Sequence, residues 1–157
     1  MDYKKKYLEY KLKYLTAKKI VSKNKKVLKG GSESNYMKNT LTTEELEKKL
    51  RDYLNGGSDY KILLICYAGW CGYCKQLKEP IDELYKLLES DGDNKLLTID
   101  VSENDDFNKY ELHGGYPTLL LLNNKKNEER QDNIFDNFNI TNLENRDINY
   151  LYDLINN

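Results

Sequence analysis

The sequence predicts one α/β domain carried behind a basic helical arm. Three observations lead there. Short continuous apolar runs such as 60–68 alternate with segments whose apolar residues recur every three or four positions, the marks of buried strands and amphipathic helices. Residues 1–29 hold eleven Lys against Asp2 and Glu9, a balance of +9, whereas 30–157 balance at −10. A Gly/Ser/Asn stretch separates the two halves. A chain of 157 residues suits one domain plus an appendage and is long enough to bury a core without staples. Its three cysteines exclude a disulfide scaffold. No apolar run approaches the ~18 residues of a spanning helix, which excludes a membrane-spanning chain.

The arm repeats every seven residues. Tyr3, Tyr7, Tyr10, Tyr14, Ala17 and Val21 fall on one helical stripe, and Leu8, Leu12 and Leu15 form a second. Lysines lie between the two stripes, and no Gly or Pro interrupts before Gly30. A helix over 1–29 is expected, stopped at Gly30-Gly31. Lysines break every apolar stretch, so the segment lacks the core of a signal peptide. The plain reading is a solvated charged helix that extends the domain. The sharper one is a recognition helix for an acidic or helical partner surface. Nothing in it supplies base-reading specificity, so no specific nucleic acid is expected. The stretch YKKKYLEYKLKYL resembles an N-terminal segment carried by otherwise unrelated proteins of mimivirus-type giant DNA viruses, as does the Lys/Asn/Tyr bias. That resemblance implies an addressing or packaging role, with a virion or the host cytoplasm as the location.

Residues 30–39 read as linker and 40–157 as the folded domain. Thr42 and Glu45 form a capping box, with Leu41 and Leu46 at the positions of a hydrophobic staple. The helix they open carries Leu46, Leu50, Tyr53 and Leu54 and stops at Asn55-Gly56-Gly57. Tyr60–Ala68 reads as a central strand buried on both faces. It runs into Trp70-Cys71-Gly72-Tyr73-Cys74-Lys75, and 76–88 is helix-patterned. A helix is also expected to open at a second capping box, Thr141 to Glu144, and run through Ile148, Leu151 and Ile155.

The chemistry lies where that strand ends and the helix begins. Unpaired N–H groups and the positive end of the helix dipole face Cys71, favouring its thiolate. Cys74, one turn on, is spaced to resolve a mixed disulfide formed on Cys71. The alternative is half a zinc site, but Cys66 and His113 are the only other Cys or His, and no second CxxC or HxxxH exists. Redox work needs no metal or organic cofactor, because the two thiols carry both electrons. Cys66, inside the strand, reads as structural, and His113 as a solvent-exposed loop residue.

Trp70-Cys71-Gly72-Tyr73-Cys74-Lys75 resembles the WCGxCK signature of the thioredoxin family, and Gly115-Tyr116-Pro117-Thr118 resembles its second motif. The likeness implies a thioredoxin-like fold over about 41–157, a mixed central sheet with helices on both faces. Lys95–Val101 would be a parallel strand ending at the acidic position Asp100, and Leu119–Leu122 a further strand. It implies a cis peptide before Pro117, a backbone at Tyr116 that pairs with an extended substrate, and a groove shaped by Trp70, Gly72, Tyr73, Tyr116 and Pro117. It also implies thiol–disulfide exchange on protein thiols or disulfides. The alternative is an interaction module or packaged scaffold whose dithiol does little. Tyr73 is intermediate between the residues of known reductants and of known oxidants, which leaves the direction of electron flow open.

Departures from the family pattern carry their own expectations. The family's buried acid maps to Ile65, and its nearby buried Lys to about Leu96. Losing both charges together avoids stranding one of them. Pro80 is expected to bend the helix that follows the motif. No glycine follows Gly115, so the last hairpin's second strand is placed only near 128–135, within an Asn-rich stretch, 123–139, expected to be a mobile hairpin or loop.

Overall fold

The computed structural model describes residues 10, 39–57, 59–90, 95–126 and 129–156. The helix expected over 1–29 and the linker over 30–39 therefore lie largely outside the described residues. Helix α1 (Thr43–Asn55) starts as its sequence dictates. The Glu45 N–H donates to Thr42 Oγ1 at 3.2 Å, and the Thr42 N–H donates back to Glu45 Oε2 at 2.9 Å. Two orphan helix donors are satisfied reciprocally. The helix ends at Gly56, and Gly57 follows at φ +64, a conformation that glycine adopts without penalty.

Strand β1 (Ile62–Tyr67) is buried throughout. Its side chains alternate between two core layers. Leu63, Ile65 and Tyr67 face one, and Ile62, Leu64 and Cys66 the other. A strand covered on both sides must read as a continuous apolar run, which is how 60–68 reads. β2 (Leu96–Asp100) runs parallel to β1, with Ile65 opposite Thr98. β3 (Thr118–Asn124) is antiparallel to β1, and β4 (Phe138–Leu143) antiparallel to β3. The sheet order is β2-β1-β3-β4, with Leu41 adding a parallel bridge to Ile99 at the β2 edge. This is the mixed sheet the sequence implied. α1 covers one face, and α3 (Lys78–Ser90) and α4 (Ile148–Asn156) cover the other.

Three expectations are corrected. The helix after the motif is broken rather than bent: α2 (Gly72–Gln76) stops, Leu77 forms a cap, and α3 restarts at Lys78. Pro80 has no N–H for the carbonyl four residues back, that of Gln76, so the ladder opens there. It resumes with Ile81 N–H to Leu77 C=O at 2.9 Å. The last strand is 138–143, not 128–135. Within the Asn-rich stretch, Ile134 and Phe135 are buried in a 3-10 turn, Ile134–Asn137. Buried Asn137 donates to the carbonyls of Gln131, Asn133 and Ile134 and accepts from the Gln131 N–H, so it builds the described part of the turn in the expected hairpin, whose strands are β3 and β4. Finally, Thr141 is no helix cap. It pairs with Leu121 inside β4, and α4 begins at Ile148, where Asp147 Oδ1 accepts the Tyr150 N–H at 3.2 Å.

One residue of the arm is described. Tyr10 is buried at 6 % exposure in the core layer of α3 and α4, its ring centroid 4.9 Å from that of Tyr152.

Candidate active site

The β1–α2 turn passes close over the end of β2. A Cβ at Gly69 would come within 3.0 Å of Asp100 Oδ2, so glycine admits the close approach. Asp100 closes its own turn by accepting the N–H and hydroxyl of Ser102 at 3.0 and 2.5 Å. The turn delivers Cys71 to the N-cap of α2, where its Sγ accepts the Cys74 N–H at 3.3 Å. On its other side the Cys71 thiol donates to the Tyr116 carbonyl at 3.6 Å. The peptide between Tyr116 and Pro117 is cis. The fold thus brings together Cys71, Cys74, Tyr116 and Pro117, which lie more than forty residues apart in two sequence motifs.

The two sulfurs are electrostatically unlike. Burial works against a Cys71 thiolate. Hydrogen bonds from the Cys74 thiol and from the backbone at Cys74 and Tyr73, with the Arg146 charge, outweigh it and hold Cys71 below the ordinary thiol value. Burial is also the main influence on Cys74, which is fully enclosed, and its hydrogen bond to Cys71 adds to it, so its thiol is pushed up. Cys66 is raised by burial to about 12. It lies in the α1 layer, whereas Cys71 and Cys74 lie in the α3–α4 layer, which agrees with a structural role. Among the described residues no three His, Cys, Asp or Glu side chains group as metal donors.

Around the dithiol the surface is aromatic. Trp70 and Tyr73 are 70 % and 69 % exposed. Trp70 meets the Tyr116 ring edge-on at 5.8 Å. Gly72 opens α2 with free space where a side chain would stand. Ile65 is fully buried and Leu96 nearly so, in the same layer as Cys74. The apolar residues at the positions of the family's acid and lysine therefore extend the core layer that holds Cys74.

One neighbour escaped the sequence, and a second is less solvated than its sequence suggested. Arg146 donates to the Pro117 carbonyl at 3.1 Å, and its charge favours the thiolate at both cysteines. It comes from the loop before α4, and only closure of the sheet carries it there. His113 is not the freely solvated residue expected. Its ring stacks on Tyr116 at 5.2 Å and on Phe107 at 6.1 Å, and Nε2 lies 2.8 Å from Asn108 Oδ1. Its spacing of three residues from Tyr116 was the available signal.

Comparison with known proteins agrees with this geometry. The thioredoxin family model matches residues 37–143. The thioredoxin of Rickettsia felis is 33 % identical over 97 residues, covering 61 % of this chain and 82 % of that protein. The protein disulfide-isomerase of Hordeum vulgare is 39 % identical over 65 residues, 41 % of this chain, and the match spans only 12 % of its length. Among solved structures, human ERp44 aligns with a TM-score of 0.56 at 19 % identity, over 81 % of this chain and 30 % of that one. Oxidised mitochondrial thioredoxin 3 of Saccharomyces cerevisiae aligns with a TM-score of 0.50 at 22 % identity, over 77 % and 96 %. The chain belongs to the thioredoxin family.

Proposed function

We propose that the chain is a thiol–disulfide oxidoreductase acting on protein substrates, with Cys71 as nucleophile and Cys74 as resolving thiol. In the reducing direction the Cys71 thiolate attacks a substrate disulfide, forming a mixed disulfide and releasing one substrate thiolate. Cys74 then loses its proton and attacks Cys71 Sγ. The second substrate sulfur leaves, and the Cys71–Cys74 disulfide closes. Two electrons pass to the substrate, and its two sulfurs leave as thiols once protonated. The reverse sequence oxidises a dithiol. The observation that carries the reading is the division of labour between the sulfurs: Cys71 is held low at a helix cap, and Cys74 is pushed up in the core. Trp70, Gly72, Tyr73, Tyr116 and Pro117 form the groove for an extended substrate segment.

A second reading is supported by Ile65 and Leu96, which place apolar side chains and no charge in the core layer of Cys74. With slow deprotonation of Cys74, the domain would act as a binding scaffold. Insulin reduction with dithiothreitol as donor separates the two. Turnover that Cys71→Ser abolishes, with stable mixed disulfides accumulating on Cys74→Ser, supports the oxidoreductase. Wild-type turnover no faster than dithiothreitol alone supports the scaffold. The location in a virion or host cytoplasm rests on the sequence of residues 1–29. Among the described residues no helix is long and apolar enough to cross a membrane.

A further inference from the structure

Tyr10 precedes Thr40, where the domain opens, by thirty positions, yet its ring is buried among the residues of that domain. It lies against Tyr152, whose own exposure is 7 %, in a layer completed by Leu151 and Ile155 of α4 and by Leu84, Leu87 and Leu88 of α3. A tyrosine from outside the sheet has thus become part of its core. The surroundings also suit the charge of its segment. Over Lys78–Ser90, α3 carries Glu79, Asp82, Glu83 and Glu89 against Lys78 and Lys86, and α4 adds Asp153. Residues 1–29 balance at +9. The chain from Tyr10 to Thr40 reaches roughly 100 Å when extended, ample for docking within one molecule.

We propose that the partner surface of the basic N-terminal segment is the chain's own α3–α4 face, with Tyr10 as the anchor seated on Tyr152. The segment is then a structural member of the redox domain, held by aromatic burial and steered by opposite charge.

The test is a double-mutant cycle in the full chain, using Tyr10→Ala and Tyr152→Ala, followed by thermal unfolding. Each single change should lower Tm by roughly 5–10 °C, and the double variant should lie close to Tyr152→Ala alone. Additive effects, or a Tyr10→Ala protein that melts like the parent, would overturn the proposal. Should Tyr152→Ala fail to fold, hydrogen exchange of the 148–156 amides reads the same contact. Tyr10→Ala should speed their exchange severalfold, and unchanged protection would refute the seat. A monomer with a concentration-independent Tm is expected. A dimer whose Tm rises with concentration would assign the seat to another copy's arm and overturn docking in cis.

Discussion

Replacing Ile65 by Asp restores a carboxyl group at the position where the family pattern expects one, and its consequence can be worked through. Ile65 is fully buried in the middle of β1, opposite Thr98 and Leu119, in the layer that holds Cys74. A carboxylate there would exchange water for Leu and Ile side chains, so the neutral acid is favoured and its folded pKa rises above the unfolded ~3.9. The sign follows from linkage. The folded state then holds a proton that the unfolded state has released, so stability falls as pH rises from the unfolded toward the folded pKa. The slope is about 1.4 kcal/mol per pH unit, and a folded pKa near ~7 would remove roughly 4 kcal/mol between pH ~4 and ~7. Ile65→Asn shares the loss of apolar packing but does not titrate, so the Asp-minus-Asn difference isolates the charge. Urea unfolding of both reduced variants at several pH values measures it. Parallel pH dependences would mean that water reaches the carboxylate, refuting a dry layer there. If proton removal from Cys74 limits exchange, the Asp variant should also resolve mixed disulfides faster than the Asn variant.

Three further outcomes follow from named contacts. Arg146→Met removes the cation that favours thiolate at both cysteines. Cys71 alkylation near neutral pH should slow by roughly 2- to 5-fold, the scale of one exposed charge, and an unchanged rate would show that this charge does not reach the sulfur. Trp70→Ala should raise KM for insulin and leave the rate with DTNB unchanged, since the exposed indole contacts a polypeptide and not a small disulfide. Equal losses with both substrates would contradict a groove role. Thr42→Ala breaks the capping box of α1 and should lower stability by about 1 kcal/mol, read as a Tm shift of roughly 3–5 °C.

Much of this architecture is legible in the sequence where one local rule decides. The capping box at Thr42, the glycines after Asn55 and the continuous apolar run of β1 each answer to a single requirement, and each stands as read. The CxxC and Gly-Tyr-Pro-Thr motifs do meet, because residues that must approach a backbone closely leave compact signatures. The failures occur where two rules compete. Thr141-Asn-Leu-Glu144 satisfies a capping pattern, yet Leu143 completes the core only if 138–143 pairs with β3. Pro80 predicts a disturbance but not its place, which the carbonyl of Gln76 determines. The β3–β4 connection carries no glycine and is shaped instead by Asn137, whose side chain replaces the backbone partners a tight turn would provide. Arg146 has no local signal, since its role depends on where the chain returns after β4. Tyr10 belongs to a repeat that reads equally well as a free arm. Its seat on Tyr152 is a tertiary fact.

The central claim is that the two sulfurs differ in kind. Its most direct test is iodoacetamide alkylation of the reduced full chain across pH, with each cysteine mapped by mass spectrometry. Cys71 should be carboxamidomethylated first, with a midpoint below the ~8.5 of a free thiol. Cys74 and Cys66 should stay unmodified until the chain unfolds. Cys74 reacting before Cys71 near neutral pH, or a Cys71 midpoint at or above that of a free thiol, would contradict the account.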